Sequence, residues 1–157
     1  MANIIELRLQ PSWIQADLSA IVTDSPPAVP AAGDPFAYVT PDKVPRVVYV
    51  GGDSHIHELR LQGSWIQADL SAIVTNSPPA VPAAGDPFAY VTPDKVPRVV
   101  YVGDNGDIHE LRLQPGWIQA DLAVAGGITN PIPAYGNPFA YVTPDGVPRV
   151  LCTSAPS

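Results

Sequence analysis

Residues Arg46-Val47-Val48-Tyr49-Val50, Gly51-Gly52-Asp53-Ser54-His55 and Ile56-His57-Glu58-Leu59-Arg60-Leu61 run consecutively and read as a β-hairpin. A β-branched and aromatic run is followed by turn-forming residues, then by a segment alternating with period two. Downstream, Trp65-Ile66-Gln67-Ala68-Asp69-Leu70 alternates again, with Trp65, Gln67 and Asp69 on one side. Upstream, Pro35-Phe36-Ala37-Tyr38-Val39-Thr40 starts after Gly33-Asp34 and stops at Pro41-Asp42. Working outward thus gives four short strands in an antiparallel meander.

The unit recurs. Glu6-Leu7-Arg8-Leu9-Gln10 returns after 52 residues at Glu58 and after another 52 at Glu110, and Trp13, Trp65 and Trp117 keep the same step. Between residues 6–51 and 58–103 only two positions differ, Pro11 to Gly63 and Asp24 to Asn76. The third copy drifts more, with Ala123-Val124-Ala125-Gly126-Gly127 replacing Ser71-Ala72-Ile73-Val74-Thr75. Such near-identity points to recent duplication or to an engineered array. The connection 71–86 carries Pro78, Pro79 and Pro82, which bars it from a central strand and makes it a stiffened crossover. Helix is not expected anywhere, given the period and the prolines.

At 157 residues the chain can bury a real core, and 46% hydrophobic against 15% charged residues opposes wholesale disorder despite 20 prolines. The net charge of −7 argues against nucleic acid and anionic membrane surfaces as partners. The single cysteine, Cys152, excludes an intrachain disulfide. No segment approaches the roughly 20 apolar residues of a membrane-inserted helix. No signal peptide is visible, and the sequence assigns no compartment.

Four antiparallel strands repeated at about 50 residues are the signature of β-propeller blades. The expected fold is therefore all-β. Residues 3–32 would supply the third and fourth strands of one blade, 33–84 and 85–136 would span two further units, and 137–157 would supply a first and second strand. If the two half-blades pair, within one chain or between two, each chain contributes three four-stranded blades. Three do not close a ring, since propellers use about four to eight. Two chains give a homodimeric six-bladed ring without open sheet edges.

Arg46 and Glu58 stand out as candidate binding residues. A hairpin turning at Gly51-Gly52-Asp53 sets Val48 opposite Ile56 and Arg46 opposite Glu58, on one face. The spacing recurs in Arg98 and Glu110. Arg149 has no glutamate after it, so its partner would be Glu6. A guanidinium beside a carboxylate suits a vicinal diol or ring oxygen, and a ring such as Trp65 can cover the apolar face of a sugar. The same pair is equally readable as an ion pair at a surface or blade edge, worth under about 1 kcal/mol.

The run from Arg46 to Glu58, followed by Trp65, resembles the blade motif of the six-bladed fucose-binding β-propeller lectins of fungi and bacteria. In that motif an Arg-bearing strand, a Gly/Asn/Asp turn and a Glu-bearing strand lead into a Gly-x-Trp turn. The resemblance touches every unit. It implies a multivalent lectin holding fucose or a related monosaccharide between adjacent blades. The implied polar clamps are Arg46 with Glu58, Arg98 with Glu110, and Arg149 with Glu6. The implied stacking residues are Trp13, Trp65 and Trp117. Short multi-repeat chains of bacterial members also assemble six blades. One departure stands out. Three residues after the glutamate, where bacterial members often carry a second tryptophan, this chain has Leu9, Leu61 and Leu113.

Other chemistry is weaker. His57 and His109 are equivalent but the first unit has Ile5 there, so no repeated metal-ligand role holds, and neither metal nor cofactor is expected. Asp17, Asp69 and Asp121 suit turn hydrogen bonds. Asp104-Asn105-Gly106-Asp107 lacks the closing glutamate of a calcium loop and reads as a hairpin turn. No nucleophilic or phosphate-binding motif appears, so an enzyme is not expected. The leading reading is a glycan-binding lectin. The alternative is a structural or engineered symmetric propeller without a ligand.

Overall fold

A computed structural model describes residues 2–24 and 26–154. The sequence condenses into hairpins in chain order. β1 (Ile5–Leu9) and β2 (Trp13–Asp17) form a two-stranded sheet. β3 (Phe36–Val39), β4 (Pro45–Val50), β5 (Ile56–Gln62) and β6 (Ser64–Asp69) form a four-stranded meander. β7 (Phe88–Val91), β8 (Pro97–Val102), β9 (Ile108–Leu113) and β10 (Trp117–Asp121) repeat it. β11 (Ala134–Val142) and β12 (Pro148–Ser154) form a second two-stranded sheet. All pairings are antiparallel, so the expected all-β class and four-stranded units stand. Pro45, Pro97 and Pro148 each open a strand, where a missing N–H is tolerated.

Three expectations need correction. A short helix, α1 (Leu122–Ala125), occupies part of the drifted third copy. There the β-branched run has become alanine-rich, and Asp121 caps it by accepting from the N–H groups of Ala123 and Val124. β11 starts at Ala134, four residues earlier than the expected Pro138, because it absorbs an irregularity between Tyr135 and Phe139. The β4–β5 register also differs. Val50 pairs with Ile56, Val48 with Glu58, and Arg46 with Arg60, so Arg46 is not directly opposite Glu58. The reason is a wider turn. Gly51 N–H donates to His55 C=O at 2.9 Å, and Ser54 takes a left-handed conformation at φ 65°. In the next unit Gly106 fills that position at φ 81°.

The middle sheet is covered on both faces. Val47, Tyr49, Leu59 and Trp65 pack towards the β1–β2 side with Ile4 and Leu18. Val48, Val50 and Ile56 point the other way, into a cluster with Val99, Tyr101, Leu111 and Trp117 of the following sheet. Strand alternation thus links consecutive sheets face to face. The first strands also align: the rings of Phe36 and Phe88 are 4.3 Å apart and those of Phe88 and Phe139 are 5.6 Å apart. Asp34 N–H donates to Asp86 Oδ1 at 2.9 Å, and Asp86 N–H to Asn137 Oδ1 at 2.8 Å.

The proline-rich crossovers are ordered by the outer strand of the next sheet. Thr23 N–H donates to Trp65 C=O, and Thr75 N–H to Trp117 C=O, each at 3.0 Å. Asp24 accepts from Gln67 N–H at 3.0 Å, while Asn76 both accepts from Gln119 N–H and donates to Gln119 C=O.

Candidate functional site

The polar cluster grows from the register of the middle sheet. Tyr38 lies opposite Arg46 and Arg46 opposite Arg60, so three polar side chains form one row across β3, β4 and β5. Glu58 lies one pleat away on the same face. Arg46 Nη1 donates to both Glu58 oxygens at 2.9 Å, and Arg60 Nη1 reaches Glu58 Oε1 at 3.5 Å. The side chains of Arg46 and Glu58 are only 7% and 0% exposed, so this is not a surface pair. In the next unit Arg98 Nη1 meets Glu110 Oε1 at 2.8 Å, Arg98 Nε donates to Thr92 Oγ1 at 3.2 Å, and Tyr90 O–H donates to Glu110 at 3.4 Å. Burial and then the Glu110 charge push the Tyr90 phenol up to about 12.

The middle unit is less complete. Arg46 Nε and the Tyr38 hydroxyl are buried without a hydrogen-bond partner among the described residues. Burial, followed by the Glu58 charge, holds the Tyr38 phenol protonated far above its ordinary range. Beside this cluster lies a cleft of about 260 Å³ between the two four-stranded sheets. Thr40, Asp42 and Arg46 line it from one sheet, and Lys95, Pro97 and Leu113 from the other. It is at the small end for ligand sites, a size for one small polar molecule.

The two central Arg–Glu pairs named from sequence are therefore brought together. Arg149 and Glu6 are not: Glu6 is on β1 and Arg149 on β12, in separate two-stranded sheets. Among the described residues Glu6 has Arg8 as its ionic neighbour, at 3.8 Å. The tryptophans also divide. Trp65 and Trp117 are 6% and 4% exposed and packed in the inter-sheet clusters, whereas Trp13 is 69% exposed. Leu113 lines the cleft where the resemblance would set an aromatic ring. Sequence reasoning missed Tyr38, Arg60 and Lys95. Tyr38 and Arg60 recur in the repeat, but only the register aligns them with Arg46.

The aspartates behave as turn residues: Asp17 and Asp69 accept from the N–H of Ala20 and Ala72, and Asp121 caps α1. The histidines do not act alike. His109 Nε2 contacts the Asn105 amide oxygen at 3.0 Å, and burial holds its imidazole below the ordinary range. His57 Nε2 instead contacts Asp53, and His55 Nδ1 contacts Asp69.

No protein-family model matches the chain. No curated protein matches it. Among solved structures it is similar to a fucose lectin from Kordia zhangzhouensis in complex with methyl-fucoside, with 14% identity and a TM-score of 0.49. The match covers 77% of this chain and 85% of that one. A likeness of this size assigns neither fold family nor ligand.

Proposed function

We propose that the chain is a non-catalytic carbohydrate-binding lectin whose Arg–Glu clamps hold fucose or a related monosaccharide between adjacent sheets. The observation that carries this reading is the incomplete satisfaction of a buried charged cluster beside a cleft. Buried polar groups are normally paired, and one left unpaired costs about 1–3 kcal/mol. Arg46 Nε and the Tyr38 hydroxyl are left in that state next to Arg46 Nη1 and Glu58. A polyhydroxylated ring offers acceptors and donors to complete them. The motif resemblance at Arg46, Glu58 and Trp65 points the same way.

The proposal extends to assembly: two chains close a six-bladed ring in which β12 of one pairs with β1 of the other. Exposure supports it. Leu7 is 64% exposed, while its equivalents Leu59 and Leu111 are fully buried, and Trp13 contrasts with Trp65 and Trp117 in the same sense. Covering such side chains contributes about 1.5–3 kcal/mol each. The ring would complete the third clamp, Arg149 with the partner's Glu6. It would also make binding multivalent, so weak single sites gain avidity on a glycan-rich surface.

A second reading, a propeller scaffold without ligand, is favoured by Leu113 in the cleft and by the burial of Trp65 and Trp117. A glycan array separates the two. Binding to fucosylated or closely related glycans, lost on competition with free monosaccharide, is the expected result. Silence across the array at saturating protein concentration would sink the lectin reading.

A further inference from the structure

At the end of β4 and β5 remote from Arg46, the Gly51–His55 turn gathers two imidazoles and two carboxylates. Asp53 comes from the turn, His55 from its exit, His57 from β5 and Asp69 from the end of β6, directly opposite His57. His57 Nε2 lies 3.0 and 3.1 Å from the two Asp53 oxygens, and His55 Nδ1 lies 2.8 Å from Asp69 Oδ2. One donor atom each from Asp53, His57 and Asp69 all fall within 4.8 Å of one another. Nitrogen and oxygen donors about 2.0–2.2 Å from a tetrahedral ion are about 3.3–3.6 Å apart, so movements of about 1 Å at side-chain ends would form the set.

The other units indicate what the fold alone requires here. In the following sheet Asn105 and Asp107 stand in place of Asp53 and His55, and an amide oxygen partners His109. In the first unit Asn3 and Ile5 stand in place of His55 and His57, and Asn3 Nδ2 donates to Asp17 at 2.7 Å. The turn of the following sheet and the β1–β2 hairpin of the first unit form without a donor set of two imidazoles and two carboxylates. The middle unit therefore carries ligating groups beyond what its turn needs. Its buried His57 is flanked by the partly exposed His55, Asp53 and Asp69, which leaves an approach from solvent.

We propose that Asp53, His55, His57 and Asp69 form a binding site for one divalent transition-metal ion of the zinc type per chain. Mixed imidazole and carboxylate donors suit zinc better than calcium or magnesium, which take oxygen ligands. The site is independent of the sugar cleft, and its test does not depend on glycan binding.

The test is calorimetric titration of zinc chloride into the full chain carrying Cys152→Ser, which removes the exposed thiol as a competing ligand. Cobalt(II) absorption serves as a second readout. Expected are one saturable site per chain and the visible bands of tetrahedral cobalt. The double variant Asp53→Asn/His55→Asp installs the pair that the following unit already tolerates. It should stay folded and weaken zinc binding on the order of 100-fold. No saturable binding in the parent would overturn the site. So would undiminished binding in the folded double variant, because the ion would then sit elsewhere.

Discussion

Arg46 and Glu58 share a face of the middle sheet but meet on the diagonal, because Arg46 lies opposite Arg60 and Glu58 lies opposite Val48. One guanidinium nitrogen therefore reaches both carboxylate oxygens, while the Arg60 guanidinium approaches the same carboxylate from two residues along Glu58's own strand. Glu58 is the common anion of two arginines. Removing it strands a buried Arg46 charge. The variant Glu58→Ala is expected to cost about 3–5 kcal/mol. The double variant Arg46→Met/Glu58→Leu, which removes both charges and refills the space, should cost clearly less. Urea denaturation of the full cycle measures this, and equal losses would mean that the charges are not coupled.

Tyr38 separates a ligand site from a structural one. Its hydroxyl is buried without a partner among the described residues, so the folded chain gains nothing from it. Tyr38→Phe is expected to leave the melting temperature unchanged or to raise it. If the hydroxyl bonds a sugar, the same substitution should weaken glycan binding at that site up to about tenfold, the value of one neutral hydrogen bond. A variant that melts lower would indicate that the hydroxyl supports the fold instead. Surface plasmon resonance on an immobilised fucosylated glycan, alongside thermal melts, reads both effects.

Much of the architecture was legible in the residues. Period-two alternation and turn residues located each strand to within about two residues at most boundaries, and the 52-residue period carried that reading across copies. What escaped had local physical causes. Ser54 in a left-handed conformation widened the β4–β5 turn, and a change of one residue pair in register moved Arg60 opposite Arg46. The helix at Leu122 depends on a cap by Asp121 that no alternation pattern registers. The meeting of Arg46 with Glu58 and of Arg98 with Glu110 was legible because Arg and Glu stay on one face in either register. The burial of Trp65 and Trp117 was not, since alternation orients a ring without saying whether another sheet covers it.

The two nearly identical copies contain their own stability experiment at Asp24 and Asn76. Both side chains accept from the N–H of the outer strand they face. Only Asn76 can also donate, and it does, to Gln119 C=O at 2.7 Å. Asp24→Asn should therefore add the matching bond to Gln67 C=O and stabilise the chain by about 0.5–1.5 kcal/mol. Asn76→Asp should lose as much. A chemical denaturation series on the two variants measures both signs, and a destabilised Asp24→Asn would mean that the carboxylate does more than its amide counterpart.

The proposed ring has a residue-level consequence at Cys152. In β4, Arg46 pairs with Arg60 and Tyr49 with His57. Tyr141 pairs with Arg149 as Tyr38 does with Arg46, which makes Cys152 the equivalent of Tyr49. Ile5 is the equivalent of His57. If β12 meets the partner's β1 in the register of β4 and β5, Cys152 lies opposite Ile5 of the other chain. Opposed residues of a hydrogen-bonded antiparallel pair have Cα atoms about 5.5 Å apart, within reach of a disulfide. Mild oxidation of Ile5→Cys should then give a covalent dimer on a non-reducing gel. Cys152→Ser in the same background should abolish it, and Arg8→Cys, on the opposite face of β1, should not replace it. A chain that runs as a monomer by light scattering, or one that cross-links equally from both positions, would rule out this pairing.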